Sequence, residues 1–178
     1  MAVASRKKAA RVSPRRRSAD ERRDLVIEAA RREFAVLGLG GATGEGLSYR
    51  AGISHPYLLR LFGSKRELFL EVVERVFDEV LEATRTGMPV SEALGEDGHA
   101  LLLQSFAACG DDEVRLTVQR RLGELYETLE RTASARQGEA GGLLSQLLLI
   151  GALDAARLRE LASREAWARR LLAGSDGA

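Results

Sequence analysis

The sequence predicts an all-α protein in two helical units, short helices first and longer ones after. Three observations predict it. Ala, Leu, Arg and Glu abound while aromatic residues make up only 5% of the chain, a mixture that favours helices over strands. Apolar residues recur at helical spacing, and no stretch shows the alternation of a half-buried strand. Helix start and stop signals punctuate the chain at short intervals. The 178 residues are enough for a real hydrophobic core in one medium domain or two small ones.

Residues 1–17 carry Arg6, Lys7, Lys8, Arg11, Arg15, Arg16 and Arg17 with no acid and almost no large apolar residue. This segment has nothing to pack and reads as a disordered basic arm. The first helix starts near Ser18, which forms a capping box with Glu21. Leu25, Val26, Ala29, Ala30, Phe34 and Leu37 follow at helical spacing, and Gly38, Gly40 and Gly41 stop it. A short second helix spans about Thr43 to Ala51 and closes on Gly52. Ser54 caps a third, with Pro56 harmless in its first turn, and Gly63 ends it after Phe62. Ser64 and Glu67 form a second capping box, opening a long helix to about Thr84.

Beyond Gly87 and Pro89 the stretch VSEALGEDG reads as less regular, and helical spacing returns from about His99 to Cys109. Asp111 or Asp112 caps the next helix, which runs to about Ala133. SARQGEAGG is expected to be a loop, followed by helices at about Gly142 to Leu161 and Ser163 to Leu172.

Charge divides the chain. There are 15 Lys or Arg against 7 Asp or Glu up to Leu70, and 12 against 19 after it, so the halves carry +8 and −7 within a total of +1. A basic half suits a polyanion such as DNA. The bland alternative is a differently solvated surface. One cysteine, Cys109, excludes an intramolecular disulfide, and with only two histidines, His55 and His99, no zinc site is expected. The longest apolar run, Leu147 to Leu153, is too short to span a bilayer, and the basic N-terminus lacks the apolar stretch of a signal peptide. A cytoplasmic protein is expected.

The segment from Ala51 to Leu68 reads AGISHPYLLRLFGSKREL. On its helix Leu58, Leu61 and Phe62 share one face and, with Ile53, anchor it on a core. The other face carries Pro56 and Arg60, flanked by His55, Tyr57 and Leu59. Such a helix can enter a major groove, with Arg60 aimed at a guanine edge or a phosphate. Lys65 stands at the positive end of the next helix, a ready phosphate clamp.

The run from Val26 to Leu68 resembles the N-terminal domain of the TetR family of helix-turn-helix transcriptional regulators. Val26, Ile27, Ala29, Ala30, Phe34 and Gly38 fit that family's first helix; Ala51-Gly52-Ile53-Ser54 fits its turn; Leu58, Phe62, Ser64, Lys65 and Leu68 fit the region after it. The resemblance implies a helix-turn-helix at about 43–62 within a DNA-binding domain at 18–80, and a C-terminal effector-binding and dimerisation domain at 81–178. It implies a homodimer on near-palindromic double-stranded operator DNA, associated with the nucleoid, and a repressor released by a small apolar effector, with no cofactor. Carried across by position, Thr43 and Lys65 would touch phosphate, and Ser54, His55, Tyr57 and Arg60 would face bases or backbone. The chain departs from the family at Leu59, where a tyrosine is usual, at Pro56, and at Gly44 and Ser48 of the second helix. Gly44 and Gly46 each cost a helix about 0.5–1 kcal/mol relative to alanine. A second reading follows from them: a dimer of this fold that acts through protein partners without specific DNA binding.

In the acidic half, Leu143 to Leu158 is rich in Leu, Ile, Ala and Gly, which suits either a dimer seam or a buried core helix. Leu102, Phe106, Leu122, Leu125, Tyr126 and Leu129 are candidate effector-pocket residues, with Gln104, His99 and Tyr126 as polar anchors. The plainer expectation puts His99 at a cap or on the surface and Cys109 in the role of a small buried hydrophobe. An enzyme is not expected: there is no GxSxG, no HExxH, and GLGGATGEG lacks the GK[ST] ending of a phosphate loop.

Overall fold

The computed structural model describes residues 19–132 and 139–175. The basic arm, the Ser18 cap, the expected helix end at Ala133 and residues 134–138 of the expected loop lie outside them. The described residues form helices only: α1 (Ala19–Gly41), α2 (Gly44–Ala51), α3 (His55–Phe62), α4 (Lys65–Thr86), α5 (Val90–Ala107), α6 (Asp112–Thr132), α7 (Glu139–Ala155), α8 (Leu158–Ala162) and α9 (Ala166–Ser175). The all-α expectation holds.

The spine is α4. Leu68, Phe69, Val72, Val73, Val76, Phe77, Val80 and Leu81 are each at most 3% exposed. These positions repeat as adjacent pairs one turn apart and draw a wide apolar stripe. Helices α1, α5 and α6 all pack on α4. The expected boundary near residue 80 thus falls inside one continuous helix. From α1, Val26, Ile27, Ala30 and Phe34 enter the core, and Phe34 meets Phe69 edge to face with ring centroids 5.0 Å apart. Leu25 and Leu37, expected on that apolar face, are exposed on its flanks, because the buried stripe runs through Ile27 instead.

Four expectations about the second half are corrected. The stretch after Pro89 is helical from Val90, broken only where Gly95 takes φ 59°, ψ −172°. Helix α7 starts at Glu139, inside the expected loop, and ends at Ala155, after which Arg157 takes φ 52° and turns the chain into α8. His99 is 3% exposed, packed beside Gly151 of α7, rather than at a cap or on the surface. Cys109 is half-buried rather than buried, and its thiol donates to the Ser105 carbonyl at 3.4 Å.

Ion pairs fasten the helices. Arg31 of α1 donates to both carboxylate oxygens of Glu79 on α4, at 2.5 and 2.8 Å, and to the Leu94 carbonyl at 3.0 Å. The Glu79 hydrogen bond, opposed by burial, holds the Arg31 guanidinium above its ordinary pKa. Gly98 makes this approach possible, since a Cβ there would stand 2.7 Å from Arg31 Nη2. Asp111 caps α6, accepting from the N–H groups of Glu113 at 3.0 Å and Val114 at 3.3 Å. The Val114 N–H is the main cause of a lowered Asp111 pKa, with Arg66 adding to it. This cap is fully present above the ordinary carboxylate range and is lost as pH falls through the lowered value.

Gly123 has no such role. It lies exposed in the interior of α6, and a Cβ there would meet nothing within 4 Å. Gly123→Ala should therefore stabilise the protein by about 1 kcal/mol through helix propensity. Urea denaturation measures it, and a lower midpoint would contradict the placement.

Candidate nucleic-acid interface

Two short helices and the turn between them form the candidate site. Thr43 caps α2, its Oγ1 accepting from the Gly46 N–H at 3.0 Å. Gly52 closes α2 in the left-handed region, at φ 65°, a conformation that costs glycine little. Ser54 begins α3 without a side-chain capping bond, and its side chain is exposed. Leu47 of α2 and Leu58 and Phe62 of α3 are buried and fix the two helices to the core.

The back of α3 is locked from α1. The Arg23 guanidinium stands 4.4 Å from the Phe62 ring centroid. It donates to the Leu61 carbonyl and, through Nε at 3.1 Å, to Glu71 of α4. One side chain thus joins α1, the end of α3 and α4. Composition and spacing give no sign of this clamp.

The front of α3 is free. Leu59 and Arg60 are exposed, and His55 and Tyr57 are half-buried. The Arg60 guanidinium lies 4.8 Å from the Tyr57 ring centroid, so Tyr57 holds it over the helix surface. Lys65 opens α4, and its Nζ donates to the Ala42 carbonyl at 2.8 Å. That bond ties the lysine to the turn before Thr43 and leaves two ammonium protons for an anion. Thr43, Ser54, His55, Tyr57, Arg60 and Lys65 thus belong to α2, α3, their caps and the start of α4.

The two glycines of α2 have neighbours in the place of a side chain. A Cβ on Gly44 would stand 2.4 Å from His55 Nε2, and one on Gly46 would stand 3.1 Å from Glu33 Oε1. Glu33 is 6% exposed and pairs with Arg50 of α2. The helix forgoes propensity at these sites and gains close packing against α1 and α3. Ser48 is satisfied too, donating to the Gly44 carbonyl at 2.6 Å. Sequence reasoning missed Glu33 and Arg50. The signal was a carboxylate set beside Phe34, between Ala30 and Leu37 on an otherwise apolar helix face. It also missed Tyr49, whose ring is 89% exposed on α2.

Leu102, Leu125 and Leu129 are core, Phe106 and Leu122 are half-buried against it, and Tyr126 is exposed. Glu130 accepts from the Tyr126 hydroxyl and raises its pKa. A cavity of about 530 Å³ is lined by one candidate polar anchor, His99, with Glu92, Gly95, Glu96, Arg157 and Glu160 among others. No helix among the described residues is long and apolar enough to cross a membrane.

A supporting helix, two short helices joined by a glycine turn, and an exposed cationic face on the second define a helix-turn-helix unit. Residues 26–72 match the family described as bacterial regulatory proteins, tetR family. The HTH-type transcriptional activator FasR of Mycolicibacterium smegmatis is 36% identical over 69 residues, which cover 39% of this chain and 32% of that protein. The chain therefore spans about a third of the length of the curated relative it matches. A putative TetR-family transcriptional regulator from Vibrio parahaemolyticus shares the fold, at a TM-score of 0.51 and 16% identity over 76% of this chain and 86% of that one. A putative tetR-family regulator from Shewanella sp. PV-4 aligns at a TM-score of 0.49 and 17% identity, over 84% and 95% of the two chains. The likeness to the tetR family of bacterial regulatory proteins is thus carried by the N-terminal helix-turn-helix, residues 26–72.

Proposed function

We propose that the protein regulates transcription by binding operator DNA sequence-specifically as a homodimer, paired through its C-terminal helices. In this reading it represses a gene until a small effector enters the C-terminal half. The observation that carries the reading is the front of α3: Arg60, seated on Tyr57, is exposed there while Arg23 locks the opposite side. Thr43 and Lys65 bind phosphates, and Ser54, His55, Tyr57 and Arg60 face bases or backbone. The packing of Gly44 and Gly46 also supports it, because those glycines were the reason to favour partner binding without DNA. The M. smegmatis relative is named an activator, so the direction of control is tested separately, with a promoter fusion measured in the presence and absence of the protein.

The DNA reading is tested by operator selection from genomic fragments, followed by binding across salt concentrations. An inverted repeat should emerge, with affinity falling steeply as salt rises. Lys65→Ala should weaken binding to every sequence and flatten the salt slope by about 1, whereas Arg60→Ala should relax preference at one base position by about 1–3 kcal/mol. If neither change alters a measured affinity, this docking is wrong. Salt-sensitive binding with no selected motif would favour the partner-binding alternative.

A further inference from the structure

The front ends of α2 and α3 carry a carboxylate that phosphate binding does not account for. Glu45 is the second residue of α2, and its side chain is 78% exposed. Its Oε1 lies 3.6 Å from Nδ1 of His55, the first residue of α3. Gly44 makes room for that ring, which would otherwise meet a Cβ at 2.4 Å. The imidazole therefore sits across the start of α2 and faces one oxygen of Glu45, leaving the second oxygen open. Thr43 and Ser54 are the N-caps of the two helices.

A carboxylate in this basic half is repelled by phosphates and lowers affinity for DNA as a polyanion. It finds a matched partner at one kind of base edge. In the major groove the N4 amine of cytosine is a pure donor, and a carboxylate is a pure acceptor. We propose that Glu45 is a specificity-determining residue, accepting a hydrogen bond from a cytosine N4 amine, with the His55 ring flanking the carboxylate at 3.6 Å. The inference rests on the DNA-binding reading above.

Operator selection with the full chain and its Glu45→Ala and Glu45→Gln variants tests it. The unsubstituted protein should select one cytosine per half-site that Glu45→Ala prefers about tenfold less, with the other positions unchanged. Glu45→Gln should shift that position toward adenine, whose N6 and N7 match an amide. Glu45→Ala should also bind unrelated DNA at least as tightly, because a negative charge beside the phosphates is gone. A purely structural role would not give lost discrimination without lost affinity. Both variants should keep the circular dichroism and Tm of the parent, since the side chain lies in solvent. A Glu45→Ala variant that selects the same motif with the same preferences would leave DNA binding standing and overturn the role of Glu45. An unsubstituted protein that selects no motif would overturn both.

Discussion

Phe34→Ala should lower the free energy of unfolding by about 3–5 kcal/mol. Phe34 is fully buried, and its ring meets Phe69 edge to face. Truncation removes the apolar transfer energy of the ring, the aromatic pair and the contacts of everything that lined it. The cavity would open between α1 and α4, two helices whose remaining side chains are fixed by Arg23–Glu71 and Arg31–Glu79 and have little freedom to collapse inward. Thermal unfolding should shift down on the order of 10 °C. Phe34→Leu, which keeps most of the volume, should cost well under half as much. A loss below about 1 kcal/mol for the alanine variant would mean that the interface between α1 and α4 is far looser than described.

Arg121→Ala should cost roughly 2–3 kcal/mol, below the 3–5 kcal/mol of a fully buried pair because its acceptors are partly solvated. Arg121 is 7% exposed on α6. Its guanidinium pairs with Asp78, donates to Glu124 at 2.7 Å, donates to the Glu74 carbonyl at 3.2 Å and lies 3.3 Å from the Glu74 carboxylate. Without it, Asp78 loses this cation, and Glu74 and Glu124 keep only their pairs with Arg120. Glu74→Gln in the Arg121→Ala background should recover part of the loss by removing one of these carboxylate charges. Equal stability of Arg121→Ala and the parent in urea would show that this cluster does no more than an exposed surface pair.

The local parts of the candidate site were legible in the sequence. The Ser64 cap accepts from the Glu67 N–H at 3.1 Å, Gly52 takes the left-handed turn, and Leu58 and Phe62 point inward. Each of these depends on residues no more than a few positions apart. The unread parts depend on distant juxtaposition. Nothing local marks Arg23 as the residue that reaches Leu61 and Glu71, or Glu33 as the occupant of the space beside Gly46. The start of α5 was misread for a related reason: Gly98 looks like a loop residue, yet its lack of a side chain is what lets Arg31 approach. The break after α7 has no local signal either, because it turns on Arg157, a residue type that rarely adopts positive φ.

The unbroken course of α4 bears on how such a protein can be taken apart. Its buried stripe is covered jointly by α1, α5 and α6. A chain cut after Gly87 would keep α1 to α4 but strip α5 and α6 from the stripe and expose the apolar side chains they cover, an invitation to aggregate. A chimaera that swaps C-terminal halves would therefore need its junction designed along the whole of α4, with α1, α5 and α6 carried over. The helix-turn-helix is not a detachable cassette here, and the two halves should melt in a single cooperative transition.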